Sequence, residues 1–274
     1  MRIIFYAILI CANLIVSAQP QLAHYIPKDN LTSVELNKKL DEISGLALSP
    51  EGKLFAHGDE EGKIFQLDKT SGRIIKEFEI GKKDVEEDFE DLAIVGNRFY
   101  LVSSKGDIYE FKEGMNDDEV PFTKYETELK SKYDVEGLCY EPQTETLLLA
   151  CKEFAGKEFE DKKTIYSFDL KTKKVNKEPR FVISLKQLEK EWDIDQFKPS
   201  GLIKHPFSGT FIILGGKGRV IIEISAEGEI LNKMELDEDF HNQPEGITIL
   251  NDGTMIIADE GGKGKATLIY YPYN

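Results

Sequence analysis

Three cysteines, one tryptophan and four histidines are all that 274 residues contain of these types. So little cysteine excludes the multi-bridge framework that holds small exported domains together. No CxxC or mixed Cys/His spacing offers a zinc site. The histidines (His24, His57, His205, His241) form no H-x-x-x-H or H-E-x-x-H arrangement, and no G-x-S-x-G elbow is present. The glycine clusters Gly215-Gly216-Lys217-Gly218 and Gly261-Gly262-Lys263-Gly264-Lys265 lack P-loop spacing and read as hairpin loops. Positive charge is also short: Lys+Arg 35 stand against Asp+Glu 50, a formal charge of −15. Nucleic-acid grooves and anionic-membrane patches recruit Lys and Arg, so neither is an expected partner. A hydrophobic content of 41% with 31% charged residues is nonetheless that of a folded globular chain.

Long apolar runs are lacking with one exception. Arg2 precedes a run from Ile3 to Val16 interrupted by Asn13, followed by the small residues of Val16-Ser17-Ala18 and then Gln19. The run is short for a bilayer span and follows a basic residue, which fits a signal peptide over residues 1–18. An uncleaved anchor is the alternative. Lipidation at Cys11 is disfavoured because Ile10 stands where a small residue is expected. The mature chain, 19–274, is expected to be exported to the periplasm, cell envelope or medium, with no membrane insertion of its own. It keeps Cys139 and Cys151, both in apolar strands, to be read as buried thiols or as one pair.

Internal repeats set the expected fold. Five segments share a pattern: Glu42-Ile43-Ser44-Gly45-Leu46, Asp88-Phe89-Glu90-Asp91-Leu92, Asp134-Val135-Glu136-Gly137-Leu138, Lys198-Pro199-Ser200-Gly201-Leu202 and Gln243-Pro244-Glu245-Gly246-Ile247. Aligned at positions 45, 91, 137, 201 and 246, the steps are 46, 46, 64 and 45 residues. A period of about 40–50 residues is that of a propeller blade. Each repeat continues with short apolar strands separated by turn residues, such as Phe99-Tyr100-Leu101-Val102 and Ile108-Tyr109-Glu110-Phe111. The pattern predicts an all-β, five-bladed β-propeller of four-stranded antiparallel blades forming a single domain over 19–274. Residues 23–40 precede the first motif and are expected to supply the outer strand of the last blade, closing the ring. The longer step holds two insertions. Residues 152–163 read as a charged loop. Residues 184–193 read as a short helix with a Ser184/Gln187 capping box and Leu185, Leu188 and Trp192 on one face, either packed on the propeller side or rim or serving as a lid.

The motif itself carries chemistry. One position before the aligned residue stand Ser44, Glu90, Glu136, Ser200 and Glu245; three before stand Glu42, Asp88, Asp134, Lys198 and Gln243. Innermost strands line a propeller axis, so their starting segments meet at one mouth of the channel. Clustered carboxylates repel unless a cation or protons compensate, and hard divalent cations take oxygen ligands. This predicts a Ca²⁺ site with Glu90, Glu136, Glu245 and Glu42 as ligands; Glu42 is included because its own blade offers only Ser44 at the acidic position. The plainer reading makes these carboxylates caps of backbone N–H groups. Asp59-Glu60 and Asp259-Glu260 extend the same mouth or lie in solvated loops. Asp91 replaces the glycine of the other four repeats, which raises the question of its backbone conformation.

Together these segments resemble the SdiA-regulated family of bacterial exported propellers, distantly similar to NHL-repeat proteins. The residues that carry the resemblance run from Leu40-Asp41-Glu42-Ile43-Ser44-Gly45 to Gln243-Pro244-Glu245-Gly246-Ile247, across essentially the whole mature chain. The resemblance implies a five-bladed propeller and a Ca²⁺ site, and it carries no defined activity. Two functions are therefore expected. One is a calcium-binding module for a small-molecule or envelope ligand, acting as a monomer. The other is a Ca²⁺-dependent hydrolase of phosphoesters, lactones or esters, as in propellers similar to phytases, paraoxonases and gluconolactonases, with His57 or His241 as the candidate base.

Overall fold

Residues 20–25, 31–82, 85–154 and 156–274 are described by the structure, a computed structural model. The expected signal peptide, 1–18, lies outside the described residues.

The strands form five sheets. Their innermost strands are Ile43–Leu48, Phe89–Val95, Val135–Glu141, Lys198–Lys204 and Pro244–Ile249. Each pairs antiparallel with the next strand in the chain, and the sheet grows outward by successive hairpins. The inner strands neighbour one another in cyclic order, the fifth packing against the first. The molecule is thus a five-bladed β-propeller. Its closure is the expected one: Thr32–Glu35 pairs antiparallel with Thr267–Tyr271, with Val34 opposite Leu268, as the outer strand of blade five. That pairing removes an open edge.

Both faces of every blade are covered by neighbouring blades, so the apolar residues gather in wedges between them. Five clusters of buried side chains occupy the five blade–blade interfaces. In one, Ala93, Tyr100 and Val102 of blade two meet Leu138, Leu147 and Leu149 of blade three. Strands buried on both faces read as near-continuous apolar runs, which explains Leu147-Leu148-Leu149-Ala150.

Three details depart from simple repetition. Between the third and outer strands of blade two the chain detours to blade one, where Glu119–Val120 pairs parallel with Ile74–Ile80. In blade three, Lys174–Val175 and Phe181–Ser184 share the long third strand Lys162–Asp169; the insertion expected to run to 163 therefore ends at 161. The helix, α1, spans Leu185–Trp192. Ser184 Oγ accepts the Gln187 backbone amide at 3.3 Å, and the Gln187 side-chain Nε2 donates forward to Glu191 at 3.0 Å. Leu188 is fully buried, and Leu185 and Trp192 pack on the wedge between blades three and four. The helix is a side buttress, not a lid.

Cys139 and Cys151 are free buried thiols. Cys139 stands opposite Leu148 and Cys151 opposite Val135, so three strand residues separate them, roughly 10 Å at strand rise, beyond disulfide reach.

Candidate metal centre at the axial mouth

In all five blades the pairing register of the inner strand skips one residue at the motif: between Ile43 and Gly45, Phe89 and Asp91, Val135 and Gly137, Pro199 and Gly201, and Pro244 and Gly246. Ser44, Glu90, Glu136, Ser200 and Glu245 are therefore the extra residues of five equivalent β-bulges. A bulge re-aims its side chain out of the ordinary alternation. This, rather than simple alternation along an extended segment, distinguishes the repeated polar position.

The aligned glycines serve close packing, and none has a positive φ. A Cβ on Gly137 would lie 3.0 Å from Leu202 Cβ and 3.1 Å from Leu202 N of the next blade. At Asp91 the backbone likewise has no positive φ. Its carboxylate accepts the Leu92 amide at 2.8 Å and reaches blade three to accept the Leu138 amide at 2.6 Å. Burial pushes this carboxyl well above the usual range, the two amides opposing. The departure from glycine is a stitch between blades.

A second ring follows the second strands. The amides of Asp59, Ser104, Lys152 and Glu260 donate to the carbonyls of Glu42, Asp88, Asp134 and Gln243. The three-back residues thus hold the second ring through their backbones, leaving their side chains for other work.

Carboxylate oxygens of Glu90, Asp134 and Glu136 all lie within 4.8 Å of one another. Some point is then within about 2.8 Å of all three, close to the 2.3–2.6 Å of Ca²⁺–oxygen bonds. The side chains of Glu90 and Asp134 have no hydrogen-bond partner among the described residues, so they are not caps of backbone amides. Asp134 has φ 53°; this left-handed turn starts the blade directly beside the bulge. The donor set fits a hard divalent cation. Burial, then the charges of Glu136 and Asp88, push the Glu90 carboxyl well above the usual carboxylate range. Burial raises the Glu136 carboxyl as well, opposed by Lys152. Burial and the Glu136 charge raise Glu245 to about 8.

The structure thus brings Glu90 and Glu136 together and adds Asp134. It sets Glu245 within electrostatic reach of Glu136 and Lys152. Glu42 stands with Asp59 and Glu260 in an adjoining acidic group, whose charges help raise Glu260 to about 7 after burial. Lys152 is the residue that motif reasoning missed: its Nζ is hydrogen-bonded to Glu136 Oε1. The signal was its place at the second-ring position, where blades one and five carry Asp59 and Glu260.

The two candidate bases take other roles. His241 Nδ1 meets Asp259 Oδ2 and its Nε2 meets Tyr271 OH, each at 2.7 Å, and the ring is fully buried. His57 is also fully buried, with Nδ1 donating to Gly58 O at 2.8 Å and Nε2 unpartnered. Burial lowers it to about 4. At the opposite end of the axis the same strands frame a cavity of about 310 Å³ whose lining includes Leu46, Leu92, Leu138, Leu202 and Ile247.

A family model for SdiA-regulated proteins matches residues 24–263. The chain belongs to the SdiA-regulated family. None of the curated proteins compared matches this SdiA-regulated chain in sequence. Among solved structures it is similar to a luciferin-regenerating enzyme, at 10% identity and TM-score 0.56, covering 89% of this chain and 95% of that one. A streptogramin B lyase follows at 15% identity and TM-score 0.52, covering 88% and 97%. A gluconolactonase from Xanthomonas campestris has 10% identity and TM-score 0.51, covering 84% and 71%. At such identities the likeness is one of fold.

Proposed function

We propose that this SdiA-regulated chain is an exported propeller that binds Ca²⁺ at the acidic end of its axis and acts as a binding module at the cell envelope. The observation that carries the reading is the convergence of Glu90, Asp134 and Glu136 oxygens within 4.8 Å on equivalent segments of adjacent blades. These three residues would hold the ion, with Glu245 and Glu42 as the further carboxylates of the mouth. The ion would offset the mutual repulsion of these buried carboxylates and would tie blade two to blade three. Its ligand would be a small molecule or an envelope component. The hydrolase reading has less support: both nitrogens of His241 are engaged, and His57 is sealed in the blade wall.

The test is calorimetric. A cation binding only the folded form stabilises it by about 2.7 kcal/mol at a hundredfold excess over Kd, roughly 5–10 °C in melting temperature for a chain of this size. Chelator-treated protein should regain that much on adding Ca²⁺, and Glu136→Gln should lose most of the gain. A wild-type protein that takes up no Ca²⁺ removes the reading, and the hydrolase alternative loses its metal with it.

A further inference from the structure

Ten residues surround the acidic mouth, nine of them with side chains. The bulge positions contribute Ser44, Glu90, Glu136, Ser200 and Glu245; the positions after the second strands contribute Asp59, Ser104, Lys152, Gly216 and Glu260. Lys152 is the one base among them, and it points at the ion site: its Nζ is bonded to Glu136 Oε1. Glu136 is 4% exposed, and its other oxygen has no partner among the described residues. Resting on the cation site proposed above, we infer that Lys152 is a tethered competitor for that site, so that it sets both the affinity of the site and its preference for divalent over monovalent ions.

The geometry supports competition rather than co-occupancy. A Ca²⁺ ion takes six to eight oxygens, and Lys152 holds one of the few buried ones. An ammonium about 4 Å from a bound cation also repels it strongly where water is scarce. Exchange is nevertheless feasible. The Lys152 backbone is fixed on both sides, its amide donating to Asp134 O at 2.7 Å and its carbonyl accepting from Lys163 Nζ. The side chain, 30% exposed, has four rotatable bonds that carry the ammonium into solvent. The head group can leave while the main chain stays. A singly charged ion gains no more from the carboxylates than the ammonium it displaces, whereas a doubly charged one does. The wild type should therefore ignore Na⁺ and K⁺ at concentrations where it takes up Ca²⁺.

Isothermal titration with Ca²⁺ tests this on wild type, Lys152→Met, Lys152→Arg and Lys152→Met/Glu136→Gln, all first checked for cooperative melting. Lys152→Met should bind at least about tenfold more tightly, since it removes the competing charge while keeping the stem. Lys152→Arg should stay within about threefold of wild type, and the double variant should lose the gain. A second readout is independent of affinity: acylation of the Lys152 amine, followed by mass spectrometry, should rise on adding Ca²⁺ as the ammonium is freed. If wild type and Lys152→Met bind Ca²⁺ equally, or the variant binds more weakly, Lys152 is not a competitor, although the calcium site stands. If no form binds Ca²⁺, the site itself is refuted and the competitor with it. Binding by Lys152→Met alone overturns both the calcium reading of the wild type and the exchange inferred here, because the lysine is then a permanent counter-ion and never leaves.

Discussion

Glu223 offers the sharpest stability test in the molecule. It is fully buried on Val220–Ile224, the third strand of blade four. Its carboxylate holds the N-terminal segment: Oε2 accepts the amides of Gln21 at 2.7 Å and Leu22 at 3.0 Å, while Oε1 accepts Thr210 Oγ1 at 2.7 Å. The segment so held buries Leu22 and Tyr25 completely in the wedge between blades four and five, and Tyr25 OH meets His205 Nε2 at 2.9 Å. Glu223→Ala takes their acceptor from two backbone amides, each loss costing about 1–3 kcal/mol when water reaches it poorly, while the Thr210 hydroxyl keeps Ser208 Oγ as a partner at 2.7 Å. Two such losses sum to roughly 4 kcal/mol, a large share of a domain's usual 5–15. At about 2–4 °C per kcal/mol the melting temperature should fall by roughly 8–16 °C. Glu223→Gln should cost much less, about 1–2 kcal/mol. Its amide oxygen can accept both backbone amides while its NH₂ donates to Thr210, whose hydroxyl rotates to accept. The assay is differential scanning fluorimetry, repeated in a chain lacking residues 19–25. In that shortened chain Glu223→Gln should be neutral or stabilising, because the buried charge has lost its amide donors. A Glu223→Ala protein melting within about 2 °C of wild type would refute the reasoning.

Other consequences are open to measurement. His57 holds its proton only to about pH 4 in the fold, against 6.5 when exposed, so between these values the unfolded chain binds a proton that the native state refuses. Stability from this group is full above pH 6.5 and is lost as pH falls towards 4, by roughly 3 kcal/mol in total; denaturant titrations of His57→Asn should lack this part of the slope. Asp91→Ala removes the acceptor of the Leu138 amide and should cost about 2 kcal/mol in chemical denaturation, whereas a neutral outcome means water replaces the stitch. Gly137→Ala should destabilise by about 1–3 kcal/mol, since its Cβ meets the Leu202 backbone amide at 3.1 Å; an unchanged midpoint means the blades can part. Ser184→Ala should cost about 1 kcal/mol through its cap, with no effect on Ca²⁺ binding if α1 is a side buttress.

Much of this molecule is legible in its residues because propeller blades repeat. A recurrence at 45, 91, 137, 201 and 246 reports one supersecondary unit used five times, and short apolar strands with turn residues between them can be assigned without knowing their partners. Residues 23–40 were readable as the closing strand because a ring of repeats leaves one edge to cover. Helix α1 was readable from Ser184 and the apolar positions that follow, since caps and amphipathic spacing are local. The candidate site was legible in part for the same reason: Glu90 and Glu136 occupy equivalent places in adjacent blades, and equivalence places them at one end of the axis.

What remained depended on distances between strands and between blades, which no local pattern encodes. The bulge that re-aims Glu90, Glu136 and Glu245 is a property of pairing register, and register exists only between two strands. Asp134 joins the cluster while Glu42 falls in with Asp59 and Glu260, although both stand three places before the aligned glycine. Lys152 and Glu136 are 16 residues apart and become partners only because their strands are adjacent in blade three. His57 and His241 carry the same ring, yet burial leaves one nitrogen of the first without a partner and gives both nitrogens of the second a partner. The periodic sequence alone determined which units form and in what order they close. Only the packed ring decided which charges meet, because the free energy of a buried charge depends on the few ångströms around it.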